Sequence, residues 1–230
     1  VTGVQTCALP ISVSIVSKAA DAKLLIKGNI PDISLQMDKE QAHDYWRTSK
    51  QSPVNYLIAD DRRSKELVRL LQKYIGTGRI LEIGCNAGRN LKHLYQAGFT
   101  DLEGIEISPT AVKTLRENHP ELSGIHIHTG AVEDCIESIP DYSFECVFTM
   151  AVLEHIHYKS DWIFSKISRL ARFVVTIEDE ISFGKRHFPR SYDKVFEKLG
   201  MRQVHFEKCS QWGLPKSFVA RVFQNNDLIK

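Results

Sequence analysis

Apolar residues recur at helical spacing from Ser64 onward, where Leu67, Leu70, Leu71, Tyr74 and Ile75 share one face. Gly76 and Gly78 follow and stop that helix. Upstream, Tyr45, Trp46, Pro53 and Tyr56 fall in one or two shorter helical pieces, so residues 37–78 read as a helical cap. Beyond them, short apolar runs alternate with amphipathic stretches. Strands are expected at residues 79–83, 102–107, 125–128, 146–150 and 173–177. The helices between them cover 90–96, closed by Gly98, and a stretch opened by Ser108 as N-cap with Pro109 at the first position. That second helix turns Val112 and Leu115 inward and ends near Asn118-His119-Pro120. A third is capped by Ser160 with Ile163, Ile167 and Leu170 inward, and a fourth runs over 191–199 to Gly200. Strands at 203–207 and 217–223 finish the chain. Their short connection leaves no room for a crossover helix, so they should pair as an antiparallel hairpin at the sheet edge. The expected fold is α/β: a seven-stranded, mostly parallel sheet with helices on both faces.

Composition adds limits rather than direction. At 230 residues, 43% hydrophobic and 25% charged, the chain suits one globular domain with its own core. A formal charge of +2 gives no sign of phosphate-backbone binding, so a small-molecule substrate is expected and a nucleic acid is not. The five cysteines are scattered without a CxxC pair, the usage of reduced thiols in a cytoplasmic protein. No apolar run approaches the roughly 18–20 residues that span a bilayer, and nothing in the sequence sets an oligomeric state. Residues 1–11, VTGVQTCALPI, resemble the in-frame translation of a sequencing adapter, and no basic segment marks them as a signal peptide. Residues 1–36 are therefore expected to be an artefactual or disordered leader, with 12–36 either read-through or a genuine extension and Met37 a candidate start.

The chemistry concentrates in ILEIGCNAGRNL, residues 80–91, a strand, a glycine-bearing turn and a helix start. Gly84 and Gly88 allow unusual backbone angles and close approach of a ligand to the main chain. The bland alternative is a tight turn without a ligand. A dinucleotide fingerprint is the sharper rival, but GxGxxG is absent: Asn86 stands at the second glycine, Arg89 at the third, and Gly88 falls one place early. Glu106 follows about 22 residues beyond Gly84, at the end of the second strand, near the spacing of a ribose-binding acid.

This turn resembles motif I of class I S-adenosylmethionine-dependent methyltransferases, an acidic residue followed by spaced glycines, with Asn86 departing from the usual glycine. Asparagine tolerates positive φ better than most residues. The resemblance implies a Rossmann-like fold with S-adenosylmethionine as cofactor, its methionine part wrapped by Glu82, Gly84, Cys85, Asn86 and Gly88. It implies Glu106 on the ribose hydroxyls, beside Ile107, and the adenine against Ala131 and Val132 of HTGAVEDC, with Glu133 read as a surface charge. FECVFTMAVLEHI resembles motif IV, which puts Met150 and Ala151 at the strand end facing the cofactor.

Other residues stay open between two roles. Certain metal-dependent hydroxyl methyltransferases carry ExxEH in the motif IV region. This chain reads AxxEH, with Ala151 in place of the first acid and His187 as a further candidate ligand. Glu154 and His155 otherwise fix the loop, and no metal ligand is assigned. His155 is also the candidate general base for a hydroxyl acceptor, with His157 equally available. Glu178-Asp179-Glu180 and the following Lys185–Arg190 run form either a solvated surface or an acceptor-facing loop in which Arg186 or Arg190 grips an anionic group. Tyr45 and Trp46 either close the pocket or pack the cap. The implied reaction is methyl transfer to a small molecule, with a hydroxyl as the candidate acceptor, against two alternatives: a nicotinamide-dependent oxidoreductase and a non-catalytic cofactor-binding or interaction protein.

Overall fold

The computed structural model describes residues 35–48, 53–58 and 60–226. The first 34 residues, with Cys7 and nearly all of the expected leader, lie outside them. Among the described residues three helices come first: α1 (Lys39–Arg47), α2 (Pro53–Ile58) and α3 (Arg62–Tyr74). The alternating part follows as β1 (Ile80–Ile83), α4 (Arg89–Gln96), β2 (Leu102–Glu106), α5 (Pro109–Asn118), β3 (His126–Thr129), α6 (Val132–Ile136), β4 (Phe144–Met150), α7 (Trp162–Leu170) and β5 (Ala171–Asp179). The chain ends in α8 (Tyr192–Lys198), β6 (Met201–Lys208) and β7 (Phe218–Asn225). The strand order is β3-β2-β1-β4-β5-β7-β6. The first five strands are parallel, and β7 is antiparallel to both β5 and β6, as the short final connection required.

Each strand feeds both faces of the sheet because successive side chains alternate. Cys146, Phe148 and Met150 of β4 pack with Leu67, Leu70 and Leu71 of α3 and Leu91 and Leu94 of α4. Val147 packs on the opposite side with Ile163, Ile167 and Leu170 of α7 and Phe196 of α8. The same alternation sets Glu82 on the α3–α4 side, between Leu81 and Ile83, which face α7. Ser108 caps α5 as expected, its hydroxyl accepting from the Ala111 N–H at 3.3 Å.

Four expectations are corrected. The fourth and fifth strands are longer than their apolar runs, because paired neighbours extend them through Phe144 and out to Asp179. Ser160 does not cap α7; Asp161 precedes that helix, and the Ser160 hydroxyl donates to Glu133 Oε1 at 2.6 Å. Residues 132–136, read only as an adenine wall, form the short helix α6. Finally, Glu178-Asp179-Glu180 is neither solvated nor acceptor-facing. Glu178 is fully buried and accepts from the Val152 and Glu154 N–H groups, Asp179 is 5% exposed, and Glu180 is paired with Arg221. The Glu178 carboxylate at the end of β5 thus fastens the loop leaving β4.

Candidate active site

The chain lays down β1, β2 and β3 in one direction and then returns to place β4 on the other side of β1. Such a reversal opens a crevice at the carboxyl ends of the strands. A cavity of about 220 Å³ lies there, lined by Glu82, Gly84, Glu106, Ala131, Met150 and His155 among others.

The turn after β1 approaches its neighbours too closely for side chains. Gly84 has φ +75°, and a Cβ there would lie 2.4 Å from Val152 Cγ2. Gly88, at φ +79°, would meet Leu115 Cγ at 2.7 Å. Asn86 takes φ +47° without being glycine, and Ala151 at the exit of β4 takes +57°. Non-glycine residues held in this region mark a backbone constrained by its surroundings.

Two carboxylates sit on either side of the turn. Glu106 Oε2 accepts the Asn86 N–H at 2.8 Å and Oε1 the Ser108 N–H at 2.8 Å, so one side chain ties the β1 turn to the β2 exit. Burial raises its pKa against the opposing pull of those N–H groups. Glu82 Oε1 accepts from Asn90 Nδ2 at 2.8 Å; its Oε2 has no hydrogen-bond partner among the described residues. Asn90 Oδ1 accepts from the Ser64 hydroxyl at 2.7 Å, which ties the turn to α3. Arg89 extends this linkage to the Ser64 hydroxyl and the Tyr56 carbonyl.

Burial pushes the Glu82 carboxyl up from 4.5 to about 8, with Arg89 opposing and Glu106 reinforcing the rise. The folded protein then holds a proton that the unfolded chain releases, so this residue costs stability progressively as pH climbs from about 4.5 to 8. Each tenfold change in proton affinity is worth about 1.4 kcal/mol. Glu82→Gln keeps the oxygen facing Asn90 and removes the titration. Its melting temperature should gain on wild type across that window and run parallel to it at lower pH. Parallel curves from pH 4.5 to 8 would contradict a buried, proton-holding Glu82.

Two further residues close the cavity from the side of α6 and α1. Glu133, expected as a surface charge, is instead 5% exposed, with Oε1 accepting from Ser160 and lying 3.0 Å from His43 Nε2 of α1. Burial works to raise its pKa, yet the Ser160 hydroxyl and His43 hold it below the ordinary value. Across the cavity, His155 Nδ1 donates to the Arg186 carbonyl at 2.8 Å, leaving Nε2 with its lone pair. Trp46 packs against the ring at 4.4 Å between centroids. Burial lowers the pKa of His155 to about 4, so it is neutral at physiological pH.

Residues 81–172 match the model of a family described as "Methyltransferase domain". Residues 81–172 therefore form a methyltransferase domain. Solved methyltransferase structures share its fold. The magnesium protoporphyrin IX methyltransferase of Synechocystis, crystallised with S-adenosylhomocysteine, superposes with TM-score 0.65 at 15% identity over 82% of this chain and 100% of that one. A phosphoethanolamine N-methyltransferase of Haemonchus contortus gives 0.64 at 12% identity over 80% and 60%. A Haloferax volcanii methyltransferase solved with its Trm112 activator gives 0.59 at 12% over 82% and 99%. No curated protein matches the chain in sequence.

In the methyltransferase domain the expected turn and strand-end residues converge: Glu82, Gly84, Cys85, Asn86, Glu106, Ile107, Ala131, Val132, Met150 and Ala151 all line the cavity. Gly88 sits just behind, opening α4. Cys85 is buried, and its Sγ lies so close to Gly104 of β2 that a Cβ there would stand 2.7 Å away. Of the two histidines offered as a base, only His155 lines the cavity; His157 Nδ1 accepts from the Lys159 N–H.

Arg190 is a correction. It is 8% exposed, and its guanidinium donates to Asp161 and to the carbonyls of Leu153, Ile156 and Phe188. With every N–H engaged, it has none to offer an acceptor. Arg186 stands differently. It stacks 4.2 Å over Tyr45 and 5.6 Å from Trp46, and among the described residues no hydrogen bond or ion pair occupies its N–H groups. No helix among the described residues is long and apolar enough to cross a membrane.

Proposed function

We propose that the domain transfers the methyl group of S-adenosylmethionine to a hydroxyl of a small, anionic acceptor. The observation that carries this reading is the convergence of the glycine turn, Glu106 and His155 on one cavity at the strand ends. In this reading residues 84–88 wrap the methionine part through the main chain, and the free Glu82 oxygen receives its ammonium. Glu106 accepts from the ribose hydroxyls. Ala131 and Val132 lie against the adenine, and Met150 and Ala151 border the reacting methyl.

Direct displacement needs the acceptor oxygen roughly 3–3.5 Å from the methyl carbon and in line with the sulfur. Held there by residues 84–88 and Glu106, S-adenosylmethionine would supply an activated methyl group and leave as the thioether, so no residue of the chain has to act as a nucleophile. The hydroxyl proton passes to His155 Nε2, whose lone pair is available because Nδ1 is committed to Arg186. Arg186, held over Tyr45 with its N–H groups unengaged among the described residues, grips the acceptor's anionic group.

Incubating the protein with labelled S-adenosylmethionine and a metabolite extract, then fractionating on an anion exchanger, identifies the acceptor. Label is expected in a retained small molecule. With that acceptor, Arg186→Ala should raise KM about 10- to 100-fold, the worth of one charged hydrogen-bonded contact, while cofactor affinity stays unchanged. Label in a neutral compound, or a KM within twofold of wild type, would remove the anionic acceptor from the reading. Saturable NAD binding with no response to S-adenosylmethionine would remove the cofactor itself.

A further inference from the structure

Glu154 and His187 take no part in the methyl-transfer chemistry above, and with His155, which lines the cavity, they form one group. Glu154, His155 and His187 each present one ligand atom, and these atoms lie within 4.8 Å of one another. His155 Nε2 and Glu154 Oε1 are 3.5 Å apart, outside good hydrogen-bond range. That separation is the span expected between two ligands of one ion: bonds of about 2.0–2.2 Å place neighbouring donors about 3.0–3.5 Å from each other.

We propose that Glu154, His155 and His187 bind a divalent transition-metal ion of the zinc, cobalt or iron(II) type, with open coordination positions toward the cavity. Two imidazoles and one carboxylate are a donor set for such ions rather than for magnesium or calcium, which favour all-oxygen surroundings. Three protein ligands also leave room for exchangeable ones, the pattern of catalytic rather than structural sites.

The supports behind the donors are already in place. The His155 Nδ1–H donates to the Arg186 carbonyl at 2.8 Å, which leaves the Nε2 lone pair on the side of Glu154 Oε1. Glu154 Oε2 accepts the Asp179 N–H, so Oε1 is the oxygen left to coordinate. The Phe188 N–H donates to the Glu154 carbonyl at 2.7 Å, fastening the chain beside His187 to the chain beside Glu154. The His187 carbonyl is held in turn by Gln36 Nε2 at 2.7 Å. The three ligands therefore come from two loops whose backbones are pinned together, and His155 lines the cavity in which the acceptor is expected.

One consequence rests on the hydroxyl-acceptor reading; the binding site does not. Coordination occupies the same Nε2 lone pair that would otherwise take the acceptor's proton. The acceptor hydroxyl would then bind the ion, which lowers its pKa. The O–H bond breaks with the proton leaving to solvent, the O–C bond forms and the C–S bond breaks onto sulfur.

The test uses the full chain after chelator treatment. Co²⁺ is titrated while its visible absorption is followed, and Zn²⁺ affinity is measured against a chromogenic chelator. One equivalent of tight Co²⁺ is expected, with an absorption band of low-coordinate cobalt. Affinity for both ions should fall at least tenfold in His187→Ala, a half-buried position, and in Glu154→Gln, with S-adenosylmethionine affinity and melting temperature in His187→Ala unchanged. Equal metal affinity in wild type and His187→Ala would overturn the site, because any ion bound would then sit on other thiols or imidazoles. Tight, His187-dependent binding together with chelator-insensitive turnover would uphold the site and return the proton to His155.

Discussion

Glu106→Ala is expected to weaken S-adenosylmethionine binding at least 100-fold in calorimetry, and S-adenosylhomocysteine by the same factor. In the proposed site its carboxylate accepts from two ribose hydroxyls, and a hydrogen bond to a charged group is worth about 1.5–3 kcal/mol. Two such contacts, at about 1.4 kcal/mol per tenfold, exceed the 100-fold mark. The structure adds a second loss. The same oxygens receive the Asn86 and Ser108 N–H groups, each at 2.8 Å, so alanine also frees the turn that would wrap the methionine part. Asn86 is held at φ +47° by that arrangement and has every reason to relax without it. Equal effects on both ligands follow because neither loss involves the methyl group. Glu106→Gln keeps one accepting oxygen but turns an amide N–H toward one of two donors, and should fall between alanine and wild type. A dissociation constant within threefold of wild type, at an unchanged melting temperature, would mean that the sugar is held elsewhere and that the placement of the whole cofactor is wrong.

What could be seen in the sequence is what local chemistry decides. Alternating strands and helices, the Ser108-Pro109 helix start and the final hairpin all depend on residues within a few positions of one another, and all appear where expected. The turn at 84–88 was legible for the same reason, since glycine spacing and the tolerance of asparagine for positive φ are properties of the residues themselves. Side chains whose role is set by distant partners were not. Glu133 looks like a surface charge until His43, 90 positions earlier, and Ser160 close over it. The acidic run at 178–180 looks solvated until the loop after β4 turns its N–H groups toward Glu178. Residue type carries no record of such an arrival. In the structure β5 pairs with β7 out to Asp179, so Glu178 stays within the sheet beyond the end of its apolar run. Buried charge at the tip of an inner strand is a cue that the apolar pattern alone discards.

Arg190→Ala should be the most destabilising single substitution in the loop region, by about 3–5 kcal/mol, the usual cost of breaking a buried charged hydrogen-bond network. For a chain of this size that is a fall in melting temperature on the order of 10 °C. The Arg190 side chain is 6% exposed, whereas its partner Asp161 is 56% exposed, so the lost ion pair contributes the smaller share. The larger share comes from the carbonyls of Leu153, Ile156 and Phe188, left without donors in a space where water has little access. The guanidinium also lies 4.7 Å over Tyr158 and 5.2 Å over Phe164, contacts that alanine removes. Arg190→Lys should recover little, since one ammonium cannot reach acceptors that a planar five-donor fork spans. Leu153 and Ile156 flank Glu154 and His155, so whatever loosens the carbonyls also disperses the group at the cavity rim. Thermal unfolding and acceptor KM, measured together, separate this strut from the anion-gripping role. A residue that bound the acceptor would raise KM with the melting temperature intact, and that outcome in Arg190→Ala would reverse the assignment.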